Sequence, residues 1–257
     1  MERRTYLRAA GTTAVAGIAG CLDGFLENGA EGAVLGPPDR DLGDPSHPIY
    51  GEEVPSFSVT DPFAEETITD EQFRGERAMM ITFIFTSCPD GVCPALLQML
   101  RAGQQDAQAE GYADDVAFIA ITFDPEYDTR ERLQEEADAV GIDPHADNWH
   151  FLRPEDNEAA VELVYEKFGT PVQLEDHEDH RGEDGEDGAD DDHDHGGEGD
   201  GEDDDASGDT DSETTDGTHY DMILLVNENG IVERSYPRAV NYPTDEIVDD
   251  LRTVAEG

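Results

Sequence analysis

Residues 79–85 read Met-Met-Ile-Thr-Phe-Ile-Phe, an uncharged run in a chain whose formal net charge is −49. A stretch so continuously apolar is what a central strand needs when both of its faces are covered, and it commits the chain to a sheet with layers on either side. Residues 116–123 and 220–227 repeat the pattern. Between them lie segments with helical spacing: residues 95–110 up to Gly111, 130–140 up to Gly141, and about 156–168. Residues 149–152 suit a short strand, and 54–60 alternate like one. Residues 67–73, ahead of Arg74 and Gly75, read as a short turn of helix and a stop. At the end, Asn227-Glu-Asn-Gly230 predicts a hairpin turn, 231–236 the returning strand, and 244–255 a final amphipathic helix. Strands alternating with helices and closed by a hairpin and helix make an α/β sandwich.

The first apolar run leads directly into Phe85-Thr-Ser-Cys88-Pro-Asp-Gly-Val-Cys93-Pro94, so two thiols sit where a strand turns into a helix. A helix N-terminus carries partial positive charge and unpaired N–H groups, which favour thiolate over thiol. The thiolate is both the nucleophile and the metal ligand. Two nearby cysteines can also be a structural disulfide or two small buried residues. Pro89, Asp90, Gly91 and Pro94 put these two on a tight loop instead, with Pro94 suited to the first helical turn. Five helical steps rotate by about 500°, so the sulfurs cannot share one helix face, and a loop must bring them together. Gly91 can take the backbone angles this requires. Redox chemistry and soft-metal binding both follow from the pair.

Residues 175–217 hold 22 acids and one base, leaving 42 acids and 14 bases on the other 214 residues. The folding part is thus itself strongly acidic. A single lysine, Lys167, stands among 15 basic residues. This composition suits a salt-loving, haloarchaeal-like source, where salt screens the self-repulsion, and it excludes binding of nucleic acid through surface charge. The tract 175–217 has no apolar run and is expected to be a disordered insertion. Its His177, His180, His193 and His195 could collect divalent metals weakly, although a solvated spacer accounts for them more simply.

At the N-terminus, Arg3 and Arg4 followed by Tyr6-Leu7 resemble a twin-arginine export signal, and Ile18-Ala-Gly-Cys21 resembles a lipoprotein box. The expected order is a signal over 1–20, lipidation at Cys21, a flexible tether over 21–50, and one domain over 51–257. This places the protein outside the cell, held by a lipid to the outer face of the cytoplasmic membrane, where a Cys88–Cys93 disulfide is permitted.

The chain resembles the Sco/SenC family over about residues 54–174 and 218–255. The likeness rests on Pro55-Ser-Phe57, the Cys88–Cys93 loop, Phe123-Asp-Pro-Glu-Tyr-Asp-Thr129, and a lone histidine, His219, before the last core strand. It implies a thioredoxin-like sandwich with a central mixed sheet flanked by helices. It also implies copper, as Cu(I) or Cu(II), held by Cys88, Cys93 and His219, and a role in building the copper A centre of a haem-copper oxidase. The partner would be the oxidase subunit carrying that centre. Two thiolates and an imidazole suit copper on chemical grounds as well. His219 stands where a thioredoxin-type oxidoreductase has a cis-proline, which favours a ligand there over a substrate clamp. Asp90 and Asp124 are candidates for orienting the ligands, or for capping the surface. The sequence departs from the family in having four residues between the cysteines where three are usual, and in lacking the usual Asp-His-Ser around the histidine.

A second reading makes Cys88 and Cys93 the catalytic pair of a thiol–disulfide reductase acting on oxidase cysteines. A peroxiredoxin-like peroxidase fits less well, since its threonine lies three residues before the cysteine, whereas Thr86 lies two before Cys88.

Overall fold

The computed structural model describes residues 31–40, 42–88, 91–171 and 221–257. Its core is a five-stranded mixed sheet. Strands β3 (Ala78–Ile84), β4 (Val116–Thr122) and β5 (Trp149–Leu152) run parallel, while β6 (Met222–Val226) pairs antiparallel with β3 and β7 (Val232–Pro237) antiparallel with β6, giving the order β5-β4-β3-β6-β7. Every residue of β3, β4 and β6 is buried, as the unbroken apolar runs require. Thr82 is tolerated in the middle of β3 because its hydroxyl donates to the Met222 carbonyl at 2.8 Å.

Helices α1 (Val92–Glu110), α2 (Arg130–Val140), α3 (Asn157–Val161) and α4 (Thr244–Glu256) surround the sheet. Helix α1 lies close to both the sheet and α4. A Cβ on Gly103 would come within 2.9 Å of Leu251 Cδ2 and 3.0 Å of Phe118 Cε1, so this seam has no room for a side chain. Helix α3 continues as π-helical turns over Glu162–Lys167, and the Phe168 ring beyond it meets Phe83 of β3 at 5.1 Å.

Residues 67–73 differ from the short helix expected of them. Strand β1 (Ser58–Asp61) pairs antiparallel with β2 (Glu66–Thr69), and only Asp70–Gln72 forms a single helical turn. Asp61 stabilises the hairpin bend by accepting the N–H groups of Phe63 and Ala64 at 2.8 and 3.2 Å. Ile68 alone of β2 is buried, so the Thr-Ile-Thr alternation obeys the two-residue period of a half-covered strand.

The described part of the N-terminal segment is strapped to the domain. Val34 and Leu35 N–H donate to the Glu233 carboxylate at 2.6 and 2.9 Å, and the Ser46 hydroxyl donates to the Gly169 carbonyl at 2.6 Å. Gly51 N–H donates to the Val232 carbonyl and Val232 N–H to the Glu52 carbonyl, at 2.9 and 2.8 Å. The two bonds with Val232 occupy backbone groups at the outer edge of β7 that would otherwise be open for pairing. No helix among the described residues is long and apolar enough to cross a membrane.

Candidate functional site

The parallel register aligns Ala78 with Val116 and Ile84 with Thr122, so β3 and β4 end side by side. Phe123 N–H donates to the Ile84 carbonyl at 3.1 Å, and the Phe85 and Phe123 rings lie 4.8 Å apart. The chain leaving β3 carries Cys88, and the chain leaving β4 carries Asp124 and Asp128. Carboxyl ends of parallel strands are where α/β folds place their chemistry.

Helix α1 begins at Val92, two residues before Pro94, which puts the proline and Cys93 inside the first turn and Cys88 on the loop before it. Gly91 caps the helix in the left-handed region, at φ 73° and ψ 11°, the conformation for which a glycine was expected. Cys93 is buried and Cys88 half-buried. The Cys93 N–H, one of the donors a helix start leaves without an intrahelical acceptor, donates to Cys88 Sγ at 3.4 Å. Cys93 Sγ in turn accepts the Phe85 N–H at 3.4 Å. Both sulfurs are therefore held by backbone donors at the positive end of a 19-residue helix whose first turn carries no acidic residue. Such surroundings favour thiolate character.

Asp124 is buried; its carboxylate accepts from Asn157 Nδ2 at 3.2 Å, and its N–H donates to Thr122 Oγ1 at 3.1 Å. Asp90, His219, Cys21 and the four histidines of the acidic tract lie outside the described residues. Strand β6 enters the sheet through Asp221 and Met222, antiparallel to β3, with Ile223 opposite Thr82. It starts from the end of the sheet at which the cysteine loop leaves. Among the described residues, no group of three or more His, Cys, Asp or Glu side chains could hold a metal ion.

A second buried carboxylate at this end, Asp128, belongs to the Phe123–Thr129 segment but has no role that its sequence position marks. Asp128 is 0% exposed, and its Oδ1 accepts both the N–H and the hydroxyl of Thr86, at 3.0 and 2.5 Å. Its Oδ2 accepts a very short hydrogen bond from the Thr122 hydroxyl. Burial pushes the Asp128 carboxyl above the usual carboxylate range, against the pull of these three hydrogen bonds. Standing just before the N-cap residue Thr129, it reads in sequence as part of a loop and cap.

Fold and site together define a thioredoxin-like α/β domain with a cysteine pair at its strand-to-helix junction. The model of the SCO1/SenC family matches residues 50–195, more than half of the chain, and the chain belongs to that family. No curated protein matches it. Among solved structures, it is similar to BsSco, described as a member of the Sco family of cytochrome c oxidase assembly proteins with a disulfide switch. That match has 22% identity and a TM-score of 0.54, and covers 84% of this chain and 98% of that one. A SCO1/SenC family lipoprotein from Bacillus anthracis str. Ames matches at 20% identity and a TM-score of 0.54, over 79% and 95%. Arabidopsis thaliana ScoI, solved with copper bound, matches at 17% identity and a TM-score of 0.50, over 80% and 100%. At these identities the likeness shows the shared fold.

Proposed function

We propose that this protein is a copper-binding assembly factor for the copper A centre of a haem-copper oxidase, with the metal taken up as cargo by Cys88, Cys93 and His219. The observation that carries this reading is the pairing of the two sulfurs on backbone donors at the start of α1. Family membership and the copper-bound Arabidopsis relative support it. The donor set fits the metal: sulfur and imidazole suit copper, and Gly91, in the left-handed region at the start of the helix, gives the longer loop the backbone freedom it needs. His219 precedes by three residues the start of β6, the strand that pairs with β3, which recommends it as the third ligand. Copper titration of the reduced protein tests the proposal. About one equivalent should bind, and His219→Ala should weaken binding while leaving the fold intact. Unchanged affinity in that variant would remove the histidine from the set, and loss of binding only on deleting residues 175–217 would move the site to the acidic tract.

Unequal burial of the two sulfurs favours a second activity at the same site, thiol–disulfide exchange with oxidase cysteines. The half-buried Cys88 thiolate attacks a partner disulfide and expels one partner thiolate. The Cys93 thiolate then attacks the mixed disulfide, releasing the partner as a dithiol and leaving a Cys88–Cys93 disulfide, so two electrons pass to the partner. Cys93→Ser should trap the mixed disulfide. Failure to trap any would count against exchange.

Attachment through a lipid on Cys21, on the outer face of the cytoplasmic membrane, completes the proposal. Its support is the sequence Ile18-Ala-Gly-Cys21 behind paired arginines. Cys21→Ser should release the protein from membranes, and an unchanged membrane fraction would argue against the anchor.

A further inference from the structure

We propose that Asp128 is a positioning residue for the cysteine pair: its buried carboxylate fastens Thr86 and thereby fixes the stretch of backbone that presents both sulfurs. The inference rests on Cys88 and Cys93 being the working groups, as proposed above. Phe85 and Thr86 are consecutive, and their N–H groups have different destinations. The first donates to Cys93 Sγ at 3.4 Å and the second to Asp128 Oδ1 at 3.0 Å. The two N–H groups belong to adjacent rigid peptide planes that meet at the Phe85 Cα, so only the φ and ψ of Phe85 separate them, and a shift of Thr86 away from Asp128 is passed to the Phe85 N–H through those two torsions. Two residues further on, Cys88 receives the Cys93 N–H.

Asp128 is itself held from behind. Its N–H donates to the Asp124 carbonyl at 2.8 Å. Arg153 Nε donates to the Asp128 carbonyl at 3.0 Å, and Arg153 Nη2 to the Pro125 carbonyl at 2.6 Å. Thr122, at the end of β4, supplies a hydroxyl to the other carboxylate oxygen. Arg153 thus spends its guanidinium on backbone carbonyls and leaves the carboxylate to neutral donors. A fully buried carboxyl of this kind is a costly way to join two strand ends, and its placement against the residue that opens the cysteine loop gives it a use.

The test reads the dithiol–disulfide equilibrium of Cys88 and Cys93 against reduced and oxidised dithiothreitol, with thermal unfolding measured on the same samples. Asp128→Ala should move the equilibrium constant at least tenfold, about 30 mV for a two-electron couple. Asp128→Asn should stay within about threefold of wild type, because its amide oxygen still accepts from Thr86 and its NH2 can donate to the Thr122 hydroxyl. A merely structural role would lower the melting temperature of Asp128→Ala and leave the equilibrium constant alone, and that result overturns the proposal. If Asp128→Ala does not fold, Thr86→Val and Thr86→Ser decide. The valine should shift the equilibrium and the serine should not, and equal values in the two overturn it. Copper titration of the wild type keeps the readings separate: no copper binding would sink the assembly role, while the redox measurement needs no metal.

Discussion

Asp128 and Glu233 are both 0% exposed, and each carboxylate gathers three donors, yet they fasten different kinds of chain. Asp128 takes the Thr86 N–H, the Thr86 hydroxyl and the Thr122 hydroxyl, all at the strand ends from which the cysteine loop departs. Glu233, on the edge strand β7, takes the N–H groups of Val34 and Leu35 and the Nδ2 of Asn227, at 2.6, 2.9 and 2.5 Å. One device serves two purposes. Backbone N–H groups leaving a regular element need an acceptor, and a buried carboxylate can serve two or three at once. At β7 the result is an N-terminal segment fastened to the sheet, and at the β3 terminus it is a fixed frame for two sulfurs.

The contrast breaks most sharply at Glu233. Glu233→Ala removes the acceptor of the part-buried Val34 and Leu35 N–H groups and of the buried Asn227 Nδ2, and should cost about 3 kcal/mol in denaturant unfolding. Amides 34 and 35 should lose hydrogen-exchange protection, while the Cys88–Cys93 equilibrium stays at its wild-type value. A redox shift in this variant would show that the two carboxylates are not independent. Gly103→Val tests the helix seam in the same way, since its Cβ would meet Leu251 and Phe118 at 2.9 and 3.0 Å. Overpacking there should cost about 2 kcal/mol and spare the thiols. Gly91→Ala reverses the pattern. A Cβ at Gly91 finds nothing within 4 Å, so the penalty is left-handed backbone strain alone, about 1 kcal/mol in thermal unfolding. Because Gly91 lies between the sulfurs, this smaller destabilisation should be the one that changes the thiol equilibrium.

What could be read from sequence divides along the same line. Strands β3, β4 and β6 were legible because burial on both faces leaves an unbroken apolar run, and the Cys88–Cys93 loop was legible because its prolines and glycine mark a turn. Strand β2 was not. Its four residues are too few to separate alternation from a helical start, and its pairing with β1 decided the outcome. Asp128 and Glu233 were hidden for a deeper reason. Two of the three donors of each lie 42 and nearly 200 positions away in the chain, and only the parallel register of β3 with β4, or the course of the N-terminal strap, brings them near. Before the fold is known, an Asp ahead of a helix cap and a Glu in a polar strand both look solvated.

Acidity supplies the finest comparison, because two aspartates should contribute with opposite signs. Burial raises the Asp128 carboxyl, so as pH rises through the unfolded value of about 3.9 the unfolded chain ionises first. Folding stability should then fall with rising pH until the raised folded value is passed, and Asp128→Asn, which stays neutral, should lose that slope. At Asp106 the sign reverses. The hydrogen bond from Arg252 holds its carboxyl below the usual range, aided by one from Tyr112. Its contribution is complete above the unfolded value and is lost as pH falls through the lower folded one. The pair sits near the surface on α1 and α4, where solvent screening limits it, so Asp106→Asn should cost no more than about 1 kcal/mol at neutral pH. Urea unfolding from pH 7 down to pH 2 should show the wild type converging on Asp106→Asn as it acidifies. A gap that widens toward low pH would show that the Arg252 contact is not what holds the Asp106 carboxyl down.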